Sequence, residues 1–416
     1  MTEPGCDHDQ YQLRPAVAGE TLDILSMVVA GFGDVFDASI DEWTMPRFEP
    51  DRSLVVTCDG VLVGHTGTFT ADLCVPGAAV PAAFVTLVNV APEHRRRGLL
   101  TRLMTRQLRD VRAAGREPVA VLWASEGRIY QRYGYGLASR NVRYAVESRE
   151  VSFPGQPAAP GQLRTSVPAD VCDPLREVYQ RVAPDRPGWT MRNDRWWVAR
   201  LYDPKHRREG GSPARATLYH SATGVDGYAL WRMKPGFDHG GPTGEVLVVE
   251  VVAATTEASV ALWRHLLTMD LTRTLRTTHG ALNDPLWYLL DEPRRLRAIV
   301  ADGLWLRVVD VAAALAARRY PAPVDVVIEV TDALLPENAG RYRLRAGADG
   351  RAECRPCQDP ADLACDVADL GALYLGGTPL GRLADAGRVS ELRPDALRGA
   401  GAAFGWHRDP GSLETF

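Results

Sequence analysis

The chain has 416 residues, of which 45% are hydrophobic and 24% charged, an ordinary composition that predicts a globular protein of one to three domains. Its formal net charge of −4 argues against general nucleic-acid binding, which needs a basic surface to neutralise phosphates. The seven scattered cysteines do not resemble a disulfide framework, the polar start lacks the features of a signal peptide, and no apolar run approaches a membrane span, so a cytoplasmic protein is expected.

The first part of the chain predicts a β-α-β unit. Residues 53–63 predict a hairpin, and residues 83–90 form a strongly β-prone run. Residues 97–114 carry apolar side chains at helical spacing, with Gly115 as a plausible end of the helix. Residues 118–123 then predict a buried strand, so a basic turn connects the first strand of the unit to its helix.

A second unit of similar order follows. Residues 152–170 are rich in Pro, Gly and Ala and predict an interdomain linker. Residues 244–254 predict a strand and residues 257–276 a helix, but no basic glycine turn joins them. This pattern indicates a similar fold without the same cofactor chemistry. Trp196 and Trp197 are interpreted as core residues of this middle unit.

The remainder predicts a third, α+β unit. We expect a strand at 304–309, a helix at 310–319, a strand at 323–330 and a hairpin around 341–354, followed by short helices. Two cysteines separated by two residues lie near this hairpin, but a second Cys or His pair at ligand spacing is missing, so no metal site is predicted.

The basic turn before the first unit's helix is the most informative stretch. The first N–H groups of a helix lack internal partners and favour anions, and Gly98 lets a phosphate approach the backbone. Arg95, Arg96 and Arg97 add charge, which suits a diphosphate. A solvated basic surface is the alternative. The turn lacks the Walker A ending and the dinucleotide G-x-G-x-x-G fingerprint.

The turn resembles the cofactor motif of GCN5-related N-acetyltransferases, Arg/Gln-x-x-Gly-x-Gly/Ala. It matches at Arg95 and Gly98 and departs at Leu100. A second motif of that family follows at the expected distance, with the sequence Ile-Tyr-Gln-Arg-Tyr-Gly-Tyr-Gly over residues 129–136. The two motifs together are far more specific than either one alone.

The string His-Arg-Arg-Arg-Gly-Leu-Leu, followed by Ala-Ser-Glu-Gly at 124–127, narrows the resemblance to the enhanced intracellular survival (Eis) acetyltransferases of actinobacteria. That resemblance implies a mixed α/β and α+β fold with tandem acetyltransferase domains, the second one degenerate, and a C-terminal domain like sterol carrier proteins. The corresponding boundaries are 1–151, 152–295 and 296–416.

The resemblance also implies acetyl-CoA as the cosubstrate. The backbone at 88–90 would contact it, residues 96–101 would hold its diphosphate, and residues 125 and 126 would lie near the thioester arm. With Arg95 added for its charge, the predicted cofactor residues are Val88, Asn89, Val90, Arg95, Arg96, Arg97, Gly98, Leu99, Leu100, Thr101, Ser125 and Glu126.

Two residues carry the catalytic hypothesis, in which an amine takes the acetyl group directly. By the family pattern, Tyr130 protonates the leaving thiolate and the C-terminal carboxylate, here that of Phe416, takes the amine proton. The alternatives are a packed aromatic for Tyr130 and a frayed chain end for Phe416.

The substrate hypothesis depends on acids interleaved with aromatics over residues 32–51, which suit a polycation. Phe32, Asp34 and Trp43 are the candidates there, with Glu414 near the chain end. The resemblance implies aminoglycoside amines as substrates and a homohexameric assembly. A solvated acidic face, protein-lysine acetylation, and lipid or sterol binding by the C-terminal domain are the alternatives.

Overall fold

The computed structural model describes residues 10–33, 44–154 and 160–416. Its larger sheets define three units, which follow each other along the chain but exchange strands at their boundaries. No helix within these ranges is long and apolar enough to cross a bilayer. Cys58 is disulfide-bonded, and free thiols are carried by Cys74, Cys172, Cys354, Cys357 and Cys365.

The first sheet has the strand order β1-β2-β3-β4-β5-β18-β6, and β10 pairs with β3. All its pairings are antiparallel except that of β4 with β5. Its strands are β1 (Tyr11–Pro15), β2 (Leu54–Cys58), β3 (Val61–Val75), β4 (Ala78–Val90), β5 (Val119–Trp123), β6 (Gly136–Leu137), β10 (Thr190–Met191) and β18 (Leu304–Val308).

The second sheet has the order β8-β16-β15-β12-β11-β9, and β15 pairs with β16 in parallel. Its strands are β8 (Ala145–Glu147), β9 (Gln162–Ser166), β11 (Arg215–His220), β12 (Val225–Lys234), β15 (Gly244–Ala253) and β16 (Thr272–Thr277). Two small ribbons join β7 (Arg140–Arg143) to β17 (Ile299–Asp302) and β13 (Phe237–Asp238) to β14 (Gly241–Pro242).

The third sheet has the order β21-β20-β19-β22-β23. Its strands are β19 (Val324–Thr331), β20 (Gly340–Ala346), β21 (Ala352–Pro356), β22 (Leu363–Asp366) and β23 (Val389–Glu391). The α-helices are α1 (Thr21–Gly31), α2 (Leu99–Ala114), α3 (Gly127–Gln131), α4 (Cys172–Val182), α5 (Asp194–Leu201), α6 (Thr256–Leu267), α7 (Leu286–Leu289), α8 (Val311–Ala317), α9 (Val367–Leu373), α10 (Leu380–Asp385) and α11 (Ala396–Phe404).

The elements of the first unit form as predicted, whereas two predictions for the second unit are wrong. The segment predicted as a linker contains β9, an edge strand whose side chains are mostly exposed and therefore lack an apolar alternation. The predicted helix over 257–276 ends at Leu267, and Leu271 has a positive φ of 64° that turns the chain into β16. The β-branched threonines of β16 favour a strand there.

The third unit shares its first strand with the first sheet. The strand expected at 304–309 is present as β18, but it pairs with β5 and β6 rather than with the third sheet. Trp196 is likewise buried, yet it packs on Phe69 and Phe84 of the first sheet and not within the middle unit. The first and third units therefore share one buried hydrophobic core, and Trp196 belongs to that core.

A bulge interrupts the pairing of β3 with β4 beside the basic turn. The register shifts between His65 and Gly67, and Leu87 on β4 has a φ of 52°. The carbonyl of Leu87 accepts a hydrogen bond from Nδ1 of His65 at 2.8 Å, which fixes the proton on that nitrogen. The His65 ring is fully buried and lies against Phe48, so the bulge is held from inside the core.

Two glycines give a matched test of how the first and third units pack. A Cβ on Gly136 in β6 would lie 1.8 Å from the carbonyl oxygen of Ala368 in α9, whereas a Cβ on Gly399 in α11 meets nothing within 4 Å. We expect Gly136→Ala to lower the free energy of unfolding by about 2 kcal/mol or more, because backbone must move. Gly399→Ala should raise it by about 0.5–1 kcal/mol. Guanidinium unfolding of both variants measures this, and similar midpoints would contradict the packing.

Burial of His65 predicts a pH dependence of stability. Burial lowers the pKa of His65 from 6.5 to about 4. The unfolded chain therefore binds the proton first, and stability falls as the pH falls from about 6.5 to about 4, by up to about 3 kcal/mol from this group. Urea unfolding across that range should show a smaller pH slope for His65→Gln than for the wild type. Equal slopes would show that this ring does not titrate as described.

Candidate active site

The site begins where two parallel strands part. β4 and β5 pair only from Ala82 to Phe84, opposite Val119 to Val121, although β4 continues to Val90. The N–H of Ala91 donates to the carbonyl of Val63 on the β3 side. Because successive N–H groups of a strand point to opposite edges, the N–H of Val90 points to the open edge. The two strands therefore diverge, and the wedge-shaped gap between them exposes backbone N–H groups of β4.

The start of α2 lies beside this wedge. Its N-cap is Gly98, in the left-handed region with φ 78°, and no side chain caps the first turn. Arg96 also has a positive φ, of 62°. The helix is held by an apolar face that includes Leu99, Leu103 and Leu108. Its first N–H groups remain available, which makes this end suited to an anion.

A cleft of about 570 Å³ joins the helix start to the wedge. Its lining includes every predicted cofactor residue except Arg97, together with residues that the sequence did not single out. The lining residues are Gly31, Phe32, Val88, Asn89, Val90, His94, Arg95, Arg96, Gly98, Leu99, Leu100, Thr101, Ser125, Glu126, Ile129, Tyr130, Arg132 and Tyr133.

Four of the predicted cofactor side chains, those of Asn89, Arg95, Arg97 and Thr101, have hydrogen-bond partners. Nη1 of Arg97 donates to the hydroxyl of Tyr11 at 2.9 Å, outside the cleft lining. Nε of Arg95 donates to the carbonyl of Val90 at 3.0 Å, and Nδ2 of Asn89 donates to the carbonyl of Met27 at 3.0 Å. These side chains tie the end of β4 to the basic turn and to α1. These residues would therefore act on a bound anion mainly through their backbone N–H groups and, for the two arginines, through their positive charge.

Tyr130 stands on the opposite wall, in the short helix α3 that follows β5. Its side chain is buried, and this burial raises the pKa of the Tyr130 phenol to about 12, so the phenol keeps its proton at neutral pH. Tyr133 comes one turn later, and its hydroxyl lies 3.2 Å from Oγ1 of Thr101. Its spacing of three residues from Tyr130 would place both side chains on one face of a helix, and this spacing could have indicated Tyr133 from the sequence.

The predicted substrate residues are placed differently. Phe32, at the end of α1, is 63% exposed and lines the cleft. Asp34 and Trp43 lie outside the described residues. Glu414 is buried, with one carboxylate oxygen on Nε of Arg192 and the other 2.8 Å from Nη2 of Arg200. Because both oxygens are occupied by arginines, Glu414 is not carried forward as a substrate ligand.

Phe416 lies at the apex of the wedge. Its ring centroid is 4.9 Å from that of Phe84, the last β4 residue paired with β5, and 6.1 Å from that of Trp196. Tyr130 packs in the cluster that contains the neighbouring residues Ala83 and Val85. Since side chains alternate across a strand, Tyr130 and Phe416 approach the sheet from opposite faces.

Within the described residues, no group of three or more His, Cys, Asp and Glu side chains is placed to hold a metal ion. The site offers backbone donors, arginine charge and a protonated phenol. That set suits transfer of an acyl group from an anionic, phosphate-bearing carrier.

Three family models match the chain. Two describe an acetyltransferase (GNAT) domain, over residues 12–138 and 188–308, and the third describes a sterol carrier protein domain, over residues 311–411. The second and third matches meet near the end of β18, the strand that joins the first sheet. The predicted boundaries at 151 and 295 stay predictions.

Relatives match over nearly the whole chain. An uncharacterized N-acetyltransferase of Streptomyces avermitilis is 43% identical over 91% of this chain and 92% of the relative. The N-acetyltransferase Eis of Mycobacterium bovis is 36% identical over 85% and 87%. The crystal structure of Eis1 from Mycobacterium abscessus superposes with a TM-score of 0.82 at 34% identity, covering 98% of this chain and all of the other. The chain therefore belongs to the Eis family of GCN5-related N-acetyltransferases and is an acetyltransferase.

Proposed function

We propose that this acetyltransferase transfers the acetyl group of acetyl-CoA directly to an amine of a polycationic small molecule, with aminoglycosides as the substrate class. The observation that carries the proposal is the cleft itself, which joins an uncapped helix start, an open strand edge and Tyr130. Relatives named N-acetyltransferase and Eis support the reaction class.

Different residues along the cleft have different roles. The N–H groups that open α2, with Arg96 beside them, bind the diphosphate. Acetyl-CoA would supply a thioester when bound, and the N–H of Val90 would polarise the carbonyl of that thioester. Ser125 and Glu126, between β5 and α3, flank the thioester arm. These donors are held before a ligand arrives, so little reorganisation opposes the reaction.

Two protons must move. The amine gives one to the carboxylate of Phe416 as its nitrogen attacks the acetyl carbon, and Tyr130 gives one to the sulfur as the C–S bond breaks. The phenol then regains a proton from solvent. The opposite-face placement of Tyr130 and Phe416 suits this division, because the attacking nitrogen and the departing sulfur occupy different positions on the tetrahedral carbon.

The proposed substrate class depends on residues 32–51, which follow α1 in the sequence. Phe32 presents an exposed aromatic ring at the cleft mouth, and cation–π contact with an amine is its expected contribution. Asp34 and Trp43, which lie outside the described residues, are proposed from the sequence as further contacts to the amine. A protein lysine would present the same amine to the same atoms, so lysine peptides belong in the assay. Homohexameric assembly and a cytoplasmic location remain part of the proposal, which sedimentation and fractionation test.

Cofactor binding is tested by two glycines at the ends of one helix. Gly98 and Gly115 both have positive φ, 78° and 64°, and a Cβ on either meets nothing within 4 Å. Only Gly98 lines the cleft. We expect Gly98→Leu to weaken coenzyme A binding by at least about tenfold, because a side chain there fills the phosphate site. Calorimetry should show near wild-type affinity for Gly115→Leu. An equal loss in both would assign the effect to helix strain.

The acid role is tested by two neighbouring tyrosines. Tyr130→Phe should lower kcat by about 10²–10⁴-fold while the KM for acetyl-CoA changes little, because the lost proton donor acts only in the transition state. Tyr135, whose ring centroid is 6.0 Å from that of Tyr130, carries a buried hydroxyl without a partner. Tyr135→Phe should keep kcat. Thiol release is measured with aminoglycosides, linear polyamines and a lysine peptide, and unchanged turnover of Tyr130→Phe would remove that residue from the mechanism.

A further inference from the structure

The second acetyltransferase-like unit repeats the parted strands of the first. β15 and β16 pair in parallel from Gly244 to Val248, opposite Thr272 to Thr277, and β15 then continues to Ala253 paired with β12 but not with β16. A cavity of about 270 Å³ lies in this second wedge, at the start of α6. The geometry that makes a cofactor cleft in the first unit is therefore present twice.

The second wedge differs from the first at the start of its helix, although Arg186 and Arg408 are among the residues that line its cavity. The N-cap of α6 is Thr255, whose Oγ1 accepts the N–H of Ala258 at 3.2 Å, so one of the free donors is already satisfied. Only residues 254 and 255 separate β15 from α6, and neither is basic. This connection therefore lacks the arginine-rich glycine turn that we propose binds the diphosphate in the first unit.

The C-terminal segment lies in this second wedge instead. Residues 408, 409 and 411–413 line the cavity together with the start of α6. The N–H of Gly411 donates to the carbonyl of Pro187 at 3.1 Å, and a Cβ on Gly188 would lie 2.2 Å from the carbonyl oxygen of Gly411. Leu413 is buried in the core of the second unit. The segment is thus held by backbone contact on one side and by apolar packing on the other.

Two residues before Phe416, an ion network fixes the segment. Arg192 bonds to Glu414 and forms a double hydrogen bond with Glu250, at 3.0 and 2.6 Å. Arg200 lies 2.8 Å from the other oxygen of Glu414 and also bonds to the carbonyl of Leu413. The side chains of Arg192 and Glu250 are fully buried, and Arg192 lies 4.0 Å over the ring of Tyr179. The attached arginines lower the pKa values of Glu250 and Glu414, so both remain charged.

We propose that the second unit is a clamp, in which the former cofactor wedge and the Arg192–Glu414–Arg200–Glu250 network position the carboxylate of Phe416 at the active site of the first unit. The network residues are positioning residues, since none of them lines the cofactor cleft. The inference rests on the proposed function, in which that carboxylate accepts the amine proton.

Glu414→Ala tests the charge part of the clamp and Gly188→Ala tests the steric part. Both should lower kcat by at least about tenfold with the KM for acetyl-CoA unchanged, because a displaced base affects only the chemical step. Both should also speed amide exchange at residues 412–416 by at least about tenfold. Formate should partly restore the turnover of both variants as an external base.

Two controls separate positioning from general destabilisation. Gly210, in the second unit, has a φ of 80° close to the 90° of Gly188, but a Cβ there lies 3.6 Å from a lysine side chain. Asp226 pairs with Arg181 in the same unit, away from the segment. Gly210→Ala and Asp226→Ala should leave kcat and the exchange of 412–416 unchanged. If they act like the clamp variants, the clamp is overturned.

A C-terminally extended variant keeps failure of the clamp apart from failure of the proposed base. Two residues appended after Phe416 block its carboxylate without touching the network. If this extension abolishes turnover while Glu414→Ala and Gly188→Ala alter neither exchange nor kcat, the base stands and the clamp is overturned. If the clamp variants speed exchange at 412–416 but the extension and both variants keep full kcat, the base role and the catalytic purpose of the clamp both fall.

Discussion

The parting of β4 from β5 is the constraint on which the structure of the site depends. A strand edge that leaves its partner exposes backbone groups, and buried groups of this kind need partners. Here the neighbourhood supplies some of them: His65 binds the carbonyl of Leu87, and Arg95 binds the carbonyl of Val90. The remaining edge faces the cleft, so its donors are oriented by the fold before any ligand binds. The same parting sets the position of α2, whose uncapped start faces the same space.

The two acetyltransferase-like units have similar strand arrangements but differ at the start of the helix that follows the strands. Both have parted parallel strands and a helix that begins beside them. In the first, a glycine N-cap follows a loop of arginines, which leaves donors free and adds charge. In the second, Thr255 satisfies a donor of its own helix and the connection is too short to surround a phosphate. Residues 408, 409 and 411–413 of the C-terminal segment line the cavity that this second wedge forms.

The predictions from the sequence succeeded where the controlling interactions are local. The helix at 99–114 and its glycine ends depend on neighbours in the chain, so spacing and residue type were sufficient. The assignment of the surrounding residues to a cofactor came mainly from the family resemblance and stays a prediction. The pairing of β18 with β5 and the edge strand β9 depend on distant partners and carry no such local signal. Glu414 was interpreted as a ligand for a cation because its own cations, Arg192 and Arg200, are more than 200 residues away.

The clamp that we propose gives the buried network a role that stability alone does not explain. Two arginines and two glutamates sum to no net charge, and replacing such a set by apolar side chains is often neutral or stabilising. Leu413 packs in an apolar core without directional bonds, whereas the arginine contacts of Glu414 fix both its position and its orientation. A slip of one residue would move Phe416 about 3.3 Å along an extended chain, which is enough to take a carboxylate out of hydrogen-bond reach of an amine. A base at the end of a segment requires a fixed register of that segment, which burial alone does not provide.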